Sequence, residues 1–188
     1  MKNRVIGAFF TFLIGSGITV YNYSGKDITT QNGEVIKTFN IEKELEKQWR
    51  NRPFDSITPI TLFIHHTVTS KNANTEQLNN IHLGNGWAGL SYHITIEYDG
   101  DINLINLFDK LTWHTKGNNM KGLSIALVGN YEENKVSNEM EDSVRKTIDF
   151  LCNHSGLNIV AIKPHKAVKA TLCPGEYATE TFKDLFFE

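Results

Sequence analysis

The sequence predicts a single α/β domain in which a central mixed β-sheet is flanked by helices. Three observations point to that architecture. "ITLFIHHTV" from Ile60 reads as a buried strand, the short, continuously apolar "LSIALVGNY" from Leu123 as a strand in the middle of a sheet, and "LNIVAI" from Leu157 as a further strand. Segments with helical spacing alternate with them. "LSYHITIEYDGDINLINLF" reads as two strands around an Asp99-Gly100 turn, a strong short-range hairpin signal, so an antiparallel pair joins the others.

Taken in order, the chain opens with Lys2 and Arg4 followed by "VIGAFFTFLIGSGITVY", an uncharged apolar run from Val5 to Tyr21. Two positive charges ahead of such a run at an N-terminus read as an export signal or a membrane anchor, assigned to residues 1–23. No cysteine follows it for lipid attachment, and Tyr23 stands where a cleavage site wants a small residue. The expected location is therefore exported: periplasmic, membrane-anchored or secreted. Residues 24–40 are polar with Gly25 and Gly33 and read as a linker. The folded domain is assigned to 41–188. Asn40 begins a short helix, "IEKELEKQWR", that ends before Pro53. "NTEQLNNIHLGNGW" places Leu78, Ile81 and His82 at helical spacing, and Ser137 caps a helix running to about His154. Met140, Val144, Ile148 and Leu151 form its apolar face, with Gly156 just past its end. "TETFKDLFF" closes the chain as a short amphipathic helix.

Composition excludes some functions. A net charge of -2, with 21% charged residues, gives no basic stripe for nucleic acid. Two cysteines, Cys152 and Cys173, are too few for a disulfide framework, and nothing in the pattern asks for more than a monomer.

The seven histidines carry more information. His82 and His154 fall on predicted helices and read as structural. His65 and His66 end the first strand, and Tyr92 and His93 are adjacent in another, so within each pair the side chains point to opposite faces. Periodicity alone does not say which member faces a site. Near the C-terminus "HKAVKATLCPG" brackets a short loop with His165 and Cys173, two good zinc ligands. A histidine from the strand end, His65 or His66, would complete a His2Cys set of the kind that leaves a fourth position for water.

Several ordered blocks now resemble one family. "LFIHHTVT", "GWAGLSYHITIEYDGDI", "TWHTKGNNMKGLSIALVGNY" and "HKAVKATLCPG", spanning about residues 55 to 180, resemble the zinc-dependent N-acetylmuramoyl-L-alanine amidases of type 2, a group that includes phage lysozyme-like amidases and peptidoglycan recognition proteins. The resemblance implies one Zn2+ held by His65, His165 and Cys173, with peptidoglycan or muropeptides as the partner. It implies catalytic roles for Tyr92, beside the metal, and for Thr171, where some members carry lysine and active recognition proteins threonine. Trp87, His114 and Asn119 are expected to contact substrate in the groove, and His66 and His93 to stand behind it. Retention of Cys173 matters, because non-catalytic recognition proteins typically lack it. One departure concerns proton transfer: some amidases of the group carry a glutamate on the central strand, about where this chain has Ala126. The implied activity is hydrolysis of the amide between N-acetylmuramic acid and L-alanine. A recognition module that binds wall fragments without cutting them is the alternative, and a Cys152–Cys173 disulfide is a third reading. Membrane contact would run through the N-terminal segment if it stays uncleaved.

Overall fold

The computed structural model describes residues 58–187 and, nearer the N-terminus, the backbone of four short strands: β1 (Thr11–Ile14), β2 (Gly17–Val20), β3 (Ile28–Thr29) and β4 (Val35–Thr38). β1 pairs antiparallel with β2, and β3 with β4. The rest of the expected anchor and linker, and the helix expected at 41–50, lie outside the described residues. No helix among the described residues is long and apolar enough to cross a membrane.

From residue 59 the elements are β5 (Pro59–His66), α1 (Thr75–Gly84), β6 (Ile94–Ile96), β7 (Ile102–Leu104), β8 (Gly122–Leu127), α2 (Asn138–Asn153), β9 (Asn158–Pro164) and α3 (Glu176–Thr181). The sheet runs β3-β4-β7-β6-β8-β5-β9. The Asp99-Gly100 turn joins β6 and β7 as an antiparallel hairpin, while β6–β8, β8–β5 and β5–β9 are parallel. The sheet is mixed, as the sequence predicts. Between Ile60 and Thr61 the pairing of β5 with β9 shifts by one residue and leaves Val160 as an unmatched bulge on the exposed edge strand.

Alternation divides the chemistry between the two faces of the sheet. Ile60, Leu62 and Ile64 of β5, with Ile94, Ile96, Leu123, Ile125 and Leu127, bury one face under α2 and α3 in a single hydrocarbon core. Ser137 starts α2 by accepting a hydrogen bond from the Met140 amide, and Met140, Val144, Ile148 and Leu151 then fall on the buried stripe. Each such side chain contributes roughly 1.5–3 kcal/mol of burial. The second face carries His65, Thr95, Ser124 and Ala126. Over it lies α1, joined by a 2.7 Å contact between the Thr75 and Thr95 hydroxyls and by a small cluster of Leu78, Leu90, Ile105 and Val128.

Three local expectations shift. Ile81 is exposed on α1, because the inward stripe is Thr75, Leu78 and His82. Tyr92 and His93 precede β6, which begins at Ile94, so strand alternation does not separate them. The closing helix starts earlier than expected, directly after Gly175, and gives way to a 3-10 turn at Lys183–Leu185 so that Phe187 pairs with Ile162.

Gly175 is a position only glycine fills. Its φ is +97°, and a Cβ there would sit 2.3 Å from the Tyr131 carbonyl carbon and 2.5 Å from its oxygen. Gly175→Ala is expected to cost more than about 2 kcal/mol. A lowered denaturation midpoint with unchanged m-value would show it.

Candidate metal centre

The site forms where parallel strands end. β5 and β9 run side by side in the same direction, with Phe63 opposite Lys163 and Ile64 opposite Pro164. The next residue on each strand is a histidine, so His65 and His165 emerge together, ring centroids 4.5 Å apart. The loop after His165 folds back at once, because the Lys166 amide donates to the Cys173 carbonyl at 2.8 Å. That closure returns Cys173 to the strand ends, with the thiol sulfur 3.7 Å from His65 Nδ1. The ligand atoms of His65, His165 and Cys173 all lie within 4.8 Å of one another.

This donor set fits zinc. Tetrahedral bonds of about 2.0 Å to nitrogen and 2.3 Å to sulfur put ligand atoms about 3.5 Å apart, close to the observed nitrogen–sulfur distance. Protonation favours it as well. Burial, then the neighbouring imidazoles led by His114, holds His65 well below the usual histidine range, and burial followed by the charge of Lys169 lowers His165. Both rings are therefore neutral ligands at neutral pH. Burial pushes the Cys173 thiol up to about 11, against the opposing pull of the His66 amide, which donates to the sulfur at 3.3 Å. That N–H···S bond is worth more once the sulfur is a thiolate.

His66 points to the opposite face. Its Nδ1 accepts from the Tyr131 amide, and burial, then His165, lowers it to about 4. His93 spans Ser124 and the Lys110 carbonyl, tying the hairpin entry to β8 and to the segment before Leu111.

The other sequence-derived residues distribute unevenly. The Tyr92 ring lies 5.4 Å from that of His65, and burial, then the Cys173 charge, raises its hydroxyl above its ordinary value. Thr171 is exposed, and its hydroxyl accepts from the Cys173 amide at 3.2 Å. Trp87 is 54% exposed and stands edge-on to His82 on α1. His114 is only 8% exposed and places its ring at right angles to His65, 5.5 Å away. Its Nδ1 lies 2.9 Å from the Thr115 hydroxyl and its Nε2 lies 3.3 Å from the Gly122 carbonyl. Asn119 accepts from the Thr115 amide at 2.7 Å. Ala126 is the register partner of His65 on β8, so a methyl group stands beside the ligand.

Sequence reasoning passed over Thr115, whose hydroxyl is 3.3 Å from His65 Nε2, and Asn106, whose amide donates to the Leu90 and Tyr92 carbonyls and holds the Tyr92 segment. Their only signal was polarity in otherwise buried surroundings. Cys152 and Cys173 are both free, with Cys152 packed against the hydrocarbon core, so the disulfide reading falls.

A three-layer α/β domain with two imidazoles and a thiol at the ends of its parallel strands has a group that could hold a metal ion, and the comparisons narrow the class. The family model described as N-acetylmuramoyl-L-alanine amidase matches residues 55–176, and the chain belongs to that family. It is similar to the N-acetylmuramoyl-L-alanine amidase of Sus scrofa, 27% identical over 127 residues, which cover 61% of this chain and 21% of the relative. The chain thus spans about a fifth of that relative's length. Among solved structures, the N-acetylmuramoyl-L-alanine amidase LysC of Clostridium intestinale superimposes with a TM-score of 0.59 at 30% identity, over 69% of this chain and 87% of that one. PGRP-SA of Apis mellifera superimposes with a TM-score of 0.65 at 27% identity, over 79% and 94%.

With the imidazoles already neutral, the thiol is the one ligand that must lose a proton on loading, so affinity falls as pH falls. Between about pH 7 and 9 the zinc association constant is expected to rise about tenfold per pH unit. Calorimetry in buffers of different ionisation enthalpy checks this: about one proton should be released per ion, and release near zero would mean a thiolate already present in the metal-free protein.

Proposed function

We propose that this chain is a zinc-dependent N-acetylmuramoyl-L-alanine amidase that hydrolyses the amide between the lactyl group of N-acetylmuramic acid and the L-alanine of the stem peptide. The observation that carries the reading is the convergence of His65, His165 and Cys173 within the region matched by the family model. His65, His165 and Cys173 would hold the zinc, which would supply Lewis-acid polarisation of the scissile carbonyl and lower the pKa of a water molecule.

The chain's own groups have distinct tasks. Tyr92 keeps its proton throughout the neutral range, so it serves as a hydrogen-bond donor to the developing oxyanion rather than as a base. The Thr171 oxygen already accepts from the Cys173 amide, which leaves its hydroxyl hydrogen to offer to substrate. The methyl of Ala126, level with His65, offers no proton acceptor at that position of the central strand. Exposed Trp87 and Trp113 supply flat apolar surface of the kind that packs on sugar rings.

The basic residues and apolar run at the N-terminus support export, with membrane residence if that segment stays attached, and an exported location agrees with a wall substrate. The likeness to PGRP-SA keeps a recognition module as the second reading. Incubating the protein with purified peptidoglycan, with and without a zinc chelator, separates the two. Chelator-sensitive appearance of L-alanine amino termini is expected; wall binding by zinc-loaded protein with no release would favour recognition. Cys173→Ser should lose zinc and activity together. Tyr92→Phe should keep zinc and lose about a hundredfold or more in turnover, and full activity would remove Tyr92 from the mechanism.

A further inference from the structure

The contacts of His114 and Thr115 have a direction. The Gly122 carbonyl only accepts, so its contact with His114 Nε2 requires the hydrogen on that nitrogen. In the neutral form of the ring that leaves a lone pair at Nδ1, 2.9 Å from the Thr115 oxygen, to take the hydroxyl hydrogen. With that hydrogen committed, the Thr115 oxygen has only lone pairs to present to His65 Nε2, so His65 carries its hydrogen there. His65 Nδ1 is left as a lone pair, and it is the nitrogen that lies 3.7 Å from the Cys173 sulfur.

Each link in this chain is held from outside. The Thr115 amide donates to Asn119 Oδ1, which fixes the position of its hydroxyl. Gly122 allows the close approach at the far end, since a Cβ there would lie 2.8 Å from His114 Cε1. Phe63 and His93 pack against the His114 ring at centroid distances of 5.8 Å and 5.6 Å.

We propose that Thr115 and His114 form a one-way hydrogen-bond relay, anchored on the Gly122 carbonyl, that sets the His65 tautomer and so presents Nδ1 to the metal. They are positioning residues, and Asn119 braces the relay, in place of the substrate contacts that the sequence suggests for His114 and Asn119. The inference rests on the zinc reading above. Its physical basis is that the nitrogen an imidazole offers to a metal is set by the hydrogen bond its other nitrogen makes.

The test uses the full chain labelled with nitrogen-15 at histidine. In the metal-free protein, long-range nitrogen–proton spectra should show His65 with its hydrogen on Nε2 and Nδ1 bare. Thr115→Val removes the hydroxyl at nearly constant volume and should weaken zinc binding about 10- to 100-fold in a chelator competition, whereas Thr115→Ser should stay within about threefold of the unaltered chain. A hydrogen on His65 Nδ1 in the unaltered metal-free protein overturns the relay. So does Thr115→Val binding zinc within about twofold of the unaltered chain. If Thr115→Val fails to fold, the spectrum of the unaltered protein decides by itself. Failure of the unaltered chain to hold zinc would remove the metal reading, while the metal-free spectrum would still read the relay.

Discussion

Parallel pairing of β5 between β8 and β9 is the constraint on which the site depends. Three strands running in one direction bring their C-terminal ends to one edge, and each delivers something different there: β5 a candidate ligand, β9 a second candidate one residue beyond its end, β8 a small residue that leaves the rings room. Parallel neighbours require long crossovers, and the chain uses them well. The crossover from β5 toward the hairpin carries α1 over the polar face, while the one from β8 to β9 carries α2 over the apolar face. Covering both faces is also what allows β5 to be buried along most of its length.

The division of labour between the faces explains how four of seven histidines, His65, His93, His114 and His165, gather in one small region without destabilising it. One side of the sheet is hydrocarbon and supplies cohesion. The other is lined with imidazoles whose nitrogens meet hydroxyls and carbonyls, as His93 does with Ser124 and Lys110. Burial lowers the His65 pKa through the cost of desolvating a charge, and a neutral imidazole is what a metal needs. Ser124 and Ala126 belong to the same economy of space: small residues on the polar face of β8 make room for rings that a leucine would displace.

Much of this was legible in the sequence because it is local. The Ser137 cap, the stripe from Met140 to Leu151, the Asp99-Gly100 turn and the apolar strands are all read from residues a few positions apart, and the structure has each of them. The family blocks named His65, His165 and Cys173 as ligands, and the structure gathers these three. What stayed hidden was set at long range. Whether His65 or His66 lies beside His165 depends on the register between strands about a hundred residues apart. Tyr92 and His93 were read as strand because their apolar neighbours are, yet Asn106, fourteen residues from Tyr92, holds that segment in a different course. Thr115 carries no signature beyond its polarity, since its partners are the two rings that reach it in the fold.

The bulge at Val160 gives strand register itself a chemical meaning. Were Val160 drawn into the ladder, Ile64 would pair with Lys163, and the histidine after Pro164 would come level with His66, whose side chain lies on the opposite face from His65. A one-residue slip of an exposed edge strand is ordinarily absorbed by fraying or by a slightly different loop. Here it would leave a sheet with the same strands in the same order and dissolve the constellation at its edge. The bulge between Asn158 and His165 is therefore under as tight a constraint as the identity of the candidate ligands, and its presence or absence would separate inheritance of the fold from inheritance of the candidate metal centre.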